Sequence, residues 1–162
     1  STAAYLSINQ PMRDQSRTEA HPFPATVMFI KEALGQMRDP NATDAVDSPL
    51  WRGLRDVSMP EEFLLRGGTE LAPMSTSTSL EVAIQYSIAS APTLICIRTP
   101  TFMQRGADIS FLSAFPAEAE CLYPPLTYLQ PARRGHTTKV QVITEAGQRI
   151  VFTIVEMIPH LG

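Results

Sequence analysis

Arg52 stands inside the run Leu50-Trp51-Arg52-Gly53-Leu54, whose other members carry no charge. Burying an unpaired guanidinium is very costly, so Arg52 needs an anionic partner or a place at a cleft edge. Either it forms a structural ion pair with Asp56 or an acid on a neighbouring strand, or it offers a planar fork to phosphate or ribose. Ser75-Thr76-Ser77 lies just before a helix signal, where hydroxyls ordinarily cap; the alternative is a hydroxyl that orients a catalytic carboxylate or touches a sugar. Glu118-Ala119-Glu120 would, if extended, project both carboxylates from one face. Like charges that close disfavour double ionisation, a situation used to tune carboxylates for catalysis. A solvated acidic edge is the plainer reading, but the long loop before the motif and Cys121-Leu122-Tyr123-Pro124-Pro125 after it are unusual company for surface acids. Cys121 should point away from Glu120 and reads as a core thiol rather than a nucleophile.

The elements that must position these groups follow from periodicity and punctuation. Val27, Ile30, Leu34 and Met37 recur at helical spacing, predicting a helix over about 24–38 that Asp39-Pro40 stops, with a polar loop from Asn41 to Pro49. Leu50 to Leu54 reads as a strand. Pro60-Glu61-Glu62 opens a short helix that Gly67-Gly68 ends, and Thr69 to Ser75 leads back into extended chain. Thr78 and Glu81 have capping-box spacing, so a helix should run over about 79–88 with Val82, Ala83 and Tyr86 as its buried stripe. Thr93 to Ile97 is a buried strand, 100–117 a long connection of the kind that signals function or disorder, and Glu120 to Tyr123 and Leu126 to Leu129 two short strands. Lys139 to Thr144 and Arg149 to Ile158, both rich in β-branched residues, form a hairpin through Glu145-Ala146-Gly147-Gln148. The sum is two or three helices followed by five to seven mostly antiparallel strands, an α+β domain over 23–162. Residues 1–22 are polar without a clear period and read as a flexible lead-in.

Bulk composition narrows the chemistry. A chain of 162 residues, 44% hydrophobic and 18% charged, is long enough to bury a core as one globular domain. Its net charge of −3 argues against bulk binding to nucleic-acid backbone. No apolar run approaches the roughly 18–20 residues of a membrane span, and no signal peptide opens the chain, which begins Ser-Thr-Ala-Ala without Met and is read as a processed or excised piece. Cys96 and Cys121 read as reduced thiols, which points to a cytoplasmic setting. Three scattered His and two distant Cys lack the spacing of a zinc cage, so no metal is expected. The 14 prolines fall mostly between periodic segments and act as punctuation.

Taken in order, an Arg on a first strand, Ser-Thr-Ser on a second and Glu-x-Glu on a later one resemble the Arg–Ser–Glu clade of mono-ADP-ribosyltransferases, which takes in cholera-toxin-like and arginine-specific eukaryotic enzymes. Leu50-Trp51-Arg52-Gly53 is similar to the clade's aromatic-Arg-Gly strand. Pro73-Met74-Ser75-Thr76-Ser77 with Val82-Ala83 and Tyr86 looks like its second strand and following helix. Phe115 to Thr127 looks like the turn, catalytic strand and exit of a eukaryotic subgroup. The likeness spans about residues 50 to 130.

The resemblance implies an ADP-ribosyltransferase-like fold, with N-terminal helices and two mostly antiparallel sheets forming an NAD cleft without a G-x-G-x-x-G fingerprint, which this sequence lacks. NAD would be consumed as substrate, with no metal. Arg52 would hold the NAD phosphates or a ribose, and the Gly53 backbone would meet the nicotinamide amide, with no side chain to block approach. Glu120 would accept from the 2′-hydroxyl of the nicotinamide ribose and stabilise its developing positive charge. Ser75 would hydrogen-bond Glu120; Thr76 and Ser77 would complete the cofactor-binding set, Ser77 as a more remote support. Glu118 would face the nucleophile, and Glu at that position implies a protein arginine acceptor. Phe111 and Phe115 would either meet the target protein or pack in the core. The rivals are an NAD glycohydrolase with water as acceptor and a catalytically silent module that binds NAD or a partner. A polymerase of the His–Tyr–Glu type is disfavoured, since no matching His lies on the first strand.

Overall fold

The computed structural model describes residues 3, 5–38, 48–143 and 145–162. A π-helical turn, Tyr5–Asn9, runs into the short helix α1 (Gln10–Arg13), followed by α2 (Pro24–Met37). Next come β1 (Leu50–Leu54), α3 (Glu61–Arg66), β2 (Gly68–Glu70), β3 (Met74–Ser77) and α4 (Leu80–Ser87). The remaining strands are β4 (Thr93–Ile97), β5 (Ala107–Asp108), β6 (Glu120–Tyr123), β7 (Thr127–Pro131), β8 (Thr138–Ile143) and β9 (Arg149–His160). Two single 3-10 turns, Phe102–Gln104 and Pro116–Glu118, interrupt the long connection between β4 and β6. The expected stop at Asp39-Pro40, most of the Asn41–Pro49 loop and Thr144 lie outside the described residues.

The strands join in one hydrogen-bonded path, β2-β7-β9-β4-β1-β3-β6-β5, with β8 pairing β9 to one side. All pairings are antiparallel except β4 with β9. The architecture is α+β, as read from the sequence, with nine strands among the described residues where five to seven were expected; the additional ones are the short β2 and β5. The two expected sheets are continuous through β1 and β3, which share one pair of facing residues, Trp51 and Ser77. The path nevertheless turns back on itself. In a flat sheet β1 and β2, four places apart on the path, would lie about 19 Å from each other. Instead Arg52 of β1 and Glu70 of β2 stand in ion-pair contact at 3.6 Å. Leu50, Met74, Tyr123, Leu129 and Met157, drawn from five strands along the whole path, fill one core.

β4 is buried at all five positions because it lies between β1 and β9 near the centre of the path, which is why Thr93 to Ile97 reads as an unbroken apolar run. In α2 the expected stripe is the protected one: Leu34 is buried and Val27, Ile30 and Met37 are half-buried. α3 begins one residue after Pro60, carries Glu61 and Glu62 at its positive end, and stops at Gly67, whose φ of 79° suits glycine.

α4 departs from expectation in two ways. Its cap is Ser79, whose hydroxyl accepts from the Val82 amide at 3.4 Å, while the Thr78 amide is tied to Ala119 O instead. Its buried face is Ala83 and Ser87, with Val82 half-buried and Tyr86 turned out to 52% exposure. The reason is close packing on β1. A Cβ at Gly53 would lie 2.0 Å from Ala83 O, so the small residues one turn apart face the strand and the larger Tyr86 is rotated away. Among the described residues no helix is long and apolar enough to cross a membrane.

Candidate active site

β1, β3 and β6 run side by side, and Ser77 is the cross-strand partner of both Trp51 and Glu120. The pleat sorts β3 and β6 into two faces. Met74, Cys121 and Tyr123 point into the core with buried Thr76, leaving Ser75, Ser77, Glu120 and Leu122 on the other side. Arg52 reaches this region from β1, its Nη1 donating to Ser75 O at 3.4 Å. Arg52 thus meets β3 at Ser75, and Glu120 meets it at Ser77.

The anionic partner of Arg52 is Glu70, with Nη2 to Oε2 at 3.6 Å and both side chains only 18% exposed. Asp56, the neighbour named from the sequence, instead accepts from Ser90 Oγ and the Ala91 amide. Glu70 is itself anchored, since its Oε1 accepts from Arg13 Nε at 2.9 Å and from the Ala72 amide at 3.2 Å. Gly53 has a different physical warrant from the expected one: the space a side chain would take there is occupied by the backbone of α4.

The premise that Glu118-Ala119-Glu120 is extended does not hold. Pro116 opens a 3-10 turn through Glu118, Ala119 adopts a left-handed conformation (φ 45°, ψ 53°), and only Glu120 belongs to β6. The Glu118 amide donates to Phe115 O at 3.0 Å and the Ala119 amide to Pro116 O at 3.1 Å, so the turn is closed by its own backbone. Glu118 is brought to the site by helix α4 as well: Tyr86 donates its phenolic proton to Glu118 Oε1 at 2.8 Å. That hydrogen bond, followed by desolvation and the charges of Glu118 and Glu120, raises the Tyr86 phenol above its ordinary value. Both carboxylates thus bear on one hydroxyl, although not through a shared strand face.

The Ser-Thr-Ser hydroxyls divide their work. Thr76 Oγ1 donates to Cys121 O and Ser77 Oγ to Glu118 O, each at 2.6 Å, while Ser77 Oγ accepts from the Ser79 amide at 2.9 Å. Together with the Thr78 amide on Ala119 O, these bonds clamp the backbone from 118 to 121. Thr76 and Ser77 are buried, so their side chains secure the turn rather than present themselves to a ligand. Ser75 is exposed and faces Leu122 across the ladder; among the described residues no hydrogen bond joins it to Glu120. Cys121 lies on the core face, where burial pushes its thiol up to about 12, and it is a free thiol like Cys96.

Phe111 and Phe115 are 74% and 65% exposed, which removes core packing as their role, and Leu112 between them is exposed as well. The segment is shaped by Leu112 and Ser113 amides donating to Ile109 O and by the Phe115 amide donating to Ser113 Oγ. Sequence reasoning assigned Tyr86 to the buried stripe of its helix and did not single out Glu70 or Arg13. Two cavities, of 140 and 350 Å³, lie behind the 118–121 turn and between α2 and the C-terminus respectively, and neither is lined by Arg52, Ser75 or Glu120. Ser75 is exposed and Arg52 and Glu120 are half-buried.

The profile of the family described as NAD:arginine ADP-ribosyltransferase matches residues 1–149. No curated protein matches the chain in sequence. Among solved structures, the ADP-ribosyltransferase HopU1 of Pseudomonas syringae pv. Tomato DC3000 superposes with a TM-score of 0.61 at 19% identity, covering 98% of this chain and 66% of its own. The enzymatic component C2-I of the C2-toxin from Clostridium botulinum gives 0.67 at 16% identity, over 96% of this chain and 40% of its own. A mutant of the eukaryotic mono-ADP-ribosyltransferase ART2.2, solved with NADH, gives 0.60 at 15% identity over 99% of this chain and 62% of its own. This chain thus spans from under half to about two thirds of these three proteins. Their fold is its fold, and with the profile running through Arg52, Ser75 and Glu120, the chain belongs to the NAD:arginine ADP-ribosyltransferase family.

Proposed function

We propose that the chain transfers ADP-ribose from NAD to an arginine side chain of a target protein and releases nicotinamide. The observation that supports this reading is the register Trp51–Ser77–Glu120 across β1, β3 and β6, with Arg52 Nη1 donating to Ser75 O on the same strand β3 and Ser77 Oγ donating to Glu118 O in the turn before Glu120. Arg52, which pairs with Glu70 and donates to Ser75 O, carries the positive charge that a diphosphate or ribose would meet. Glu120 accepts from the ribose 2′-hydroxyl and stabilises the positive charge that develops as the C1′–nicotinamide bond breaks and its electron pair leaves with nicotinamide. Ser75, exposed on the same face, is a hydroxyl within the strand that borders Glu120. Glu118 takes a proton from the acceptor guanidinium, and the neutral guanidine attacks C1′. Its position in the turn rather than in β6 favours this division, since it separates the acceptor-side carboxylate from the ribose-side one. Phe111 and Phe115, with Leu112, present an apolar loop to the target protein.

Mass spectrometry of NAD incubated with the protein and agmatine, an arginine mimic, tests the reading. Wild type should make ADP-ribosyl-agmatine, Glu118→Ala should keep only NAD hydrolysis, and Glu120→Ala should lose both by about 100-fold or more. NAD consumed without labelled agmatine would move the reaction to water or another acceptor. Untouched NAD would leave a binding module.

A further inference from the structure

Tyr86 is held at the site from both ends of its contact with Glu118. On the helix side, Arg55 Nε donates to Tyr86 O at 2.9 Å, and Gly53 lets α4 lie directly on β1. On the turn side, Ser77 Oγ fixes Glu118 O at 2.6 Å and the Glu118 amide is bound to Phe115 O. Backbone anchors therefore fix where the two side chains start, and the hydrogen bond at 2.8 Å joins their ends and couples the rotamers of Tyr86 and Glu118. The plainer reading is an ordinary surface tyrosine. Against it, a hydroxyl on a side chain 52% exposed meets water as readily in the unfolded chain, so the bond adds little to folding. Burial does not account for the ring either, because the helix turns Ala83 and Ser87 to the sheet in its place.

Resting on the arginine-transfer reading above, we propose that Tyr86 is a positioning residue for the acceptor: its hydroxyl holds Oε1 of Glu118 so that Oε2 is the oxygen presented to the guanidine substrate. A carboxylate with both oxygens open grips a guanidinium through two parallel hydrogen bonds, which is good binding and poor preparation for attack. With Oε1 already engaged, the guanidinium is met at one N–H. Oε2 takes that proton, the resulting neutral guanidine forms its bond to C1′, and the nicotinamide departs with the electron pair of the broken bond. Tyr86 thereby governs how well an arginine competes with water for the ribose carbon.

The test compares wild type, Tyr86→Phe and Tyr86→Ala for the ratio of ADP-ribosyl-agmatine to free ADP-ribose, with the KM for agmatine measured beside the KM for NAD. Tyr86→Phe keeps the ring and should lower the product ratio about tenfold, the loss expected of one hydrogen bond to a charged group. The change should fall on the agmatine parameters rather than on the KM for NAD. A second arm follows the Tyr86 Cζ resonance in 13C-tyrosine-labelled protein during an alkaline titration, which needs no turnover. Its midpoint should drop in Glu118→Ala, because the carboxylate that retains the phenolic proton is gone. A product ratio in Tyr86→Phe equal to wild type overturns the proposal, as does a Tyr86 midpoint that ignores Glu118→Ala. Wild type that never labels agmatine overturns the arginine reading alone; the resonance then decides the Tyr86–Glu118 coupling by itself, upholding it if the midpoint drops and ending it otherwise.

Discussion

At the scale of single residues, the hydroxyls of Thr76 and Ser77 act on backbone rather than on ligand. Ser77 Oγ is the better probe, because it donates to Glu118 O and accepts from the Ser79 amide, joining the turn that carries Glu118 to the start of α4. Removing it leaves two groups without partners in a part-buried setting, at a cost of about 1–3 kcal/mol. Ser77→Ala should therefore unfold at lower denaturant and lose turnover, whereas Ser77→Thr, with its hydroxyl retained, should recover part of both. An alanine variant with the stability and kcat of wild type would remove the clamp from the account of the site. The residue types were legible in the sequence; their tasks were not. Ser, Thr and Glu can each serve a ligand or a neighbouring backbone group, and the choice depends on which way the pleat turns them.

At the scale of elements, the helix α4 depends on a missing side chain one strand away. A Cβ at Gly53 would stand 2.0 Å from Ala83 O and 2.9 Å from the Ser87 amide, both backbone atoms that cannot swing aside. Gly53→Ala should push α4 off β1, destabilise the fold by roughly 2 kcal/mol or more, and displace Tyr86 from Glu118. Chemical denaturation reads the first effect and the product ratio of the variant the second; a variant as stable as wild type would mean that the helix repacks freely. The strands were well marked in the sequence, because β-branched runs such as Thr93 to Ile97 and Lys139 to Ile143 are bounded by turn residues. The cap of α4 was misplaced by one residue since Thr78 and Ser79 are equally competent caps, and tertiary contact with Ala119 O decides between them. The Glu-x-Glu segment misled for a similar reason. The shared face depended on the segment being extended, but Pro116 and the left-handed Ala119 end the turn only where β6 can begin.

At the scale of the whole molecule, curvature brings together residues that no local pattern relates. Glu70 lies at one end of the strand path and Arg52 near its middle, and their contact exists because the path turns back on itself. Sequence spacing carries no trace of such a meeting, which is why the sequence left Asp56 and an unnamed acid on a neighbouring strand both open as partners. The same carboxylate receives Arg13, so the segment before residue 23 is tied to the element that holds Arg52, and the family profile also runs through it. Two boundaries are therefore in competition: a lead-in that can be removed at residue 22, or a catalytic unit that includes it. Arg13→Ala decides between them. If the segment belongs to the unit, Glu70 is left to move with one cation fewer, Arg52 loses its fixed setting, and the KM for NAD should rise about three- to tenfold, with a deletion of residues 1–22 at least as severe. If both variants keep the KM and kcat of wild type, the contact is incidental and the domain begins at α2. The ion pair is only partly buried, so its effect on stability should be small, near 1 kcal/mol or below. A rise in KM with little change in stability would separate a positioning effect on Arg52 from a general loosening of the fold.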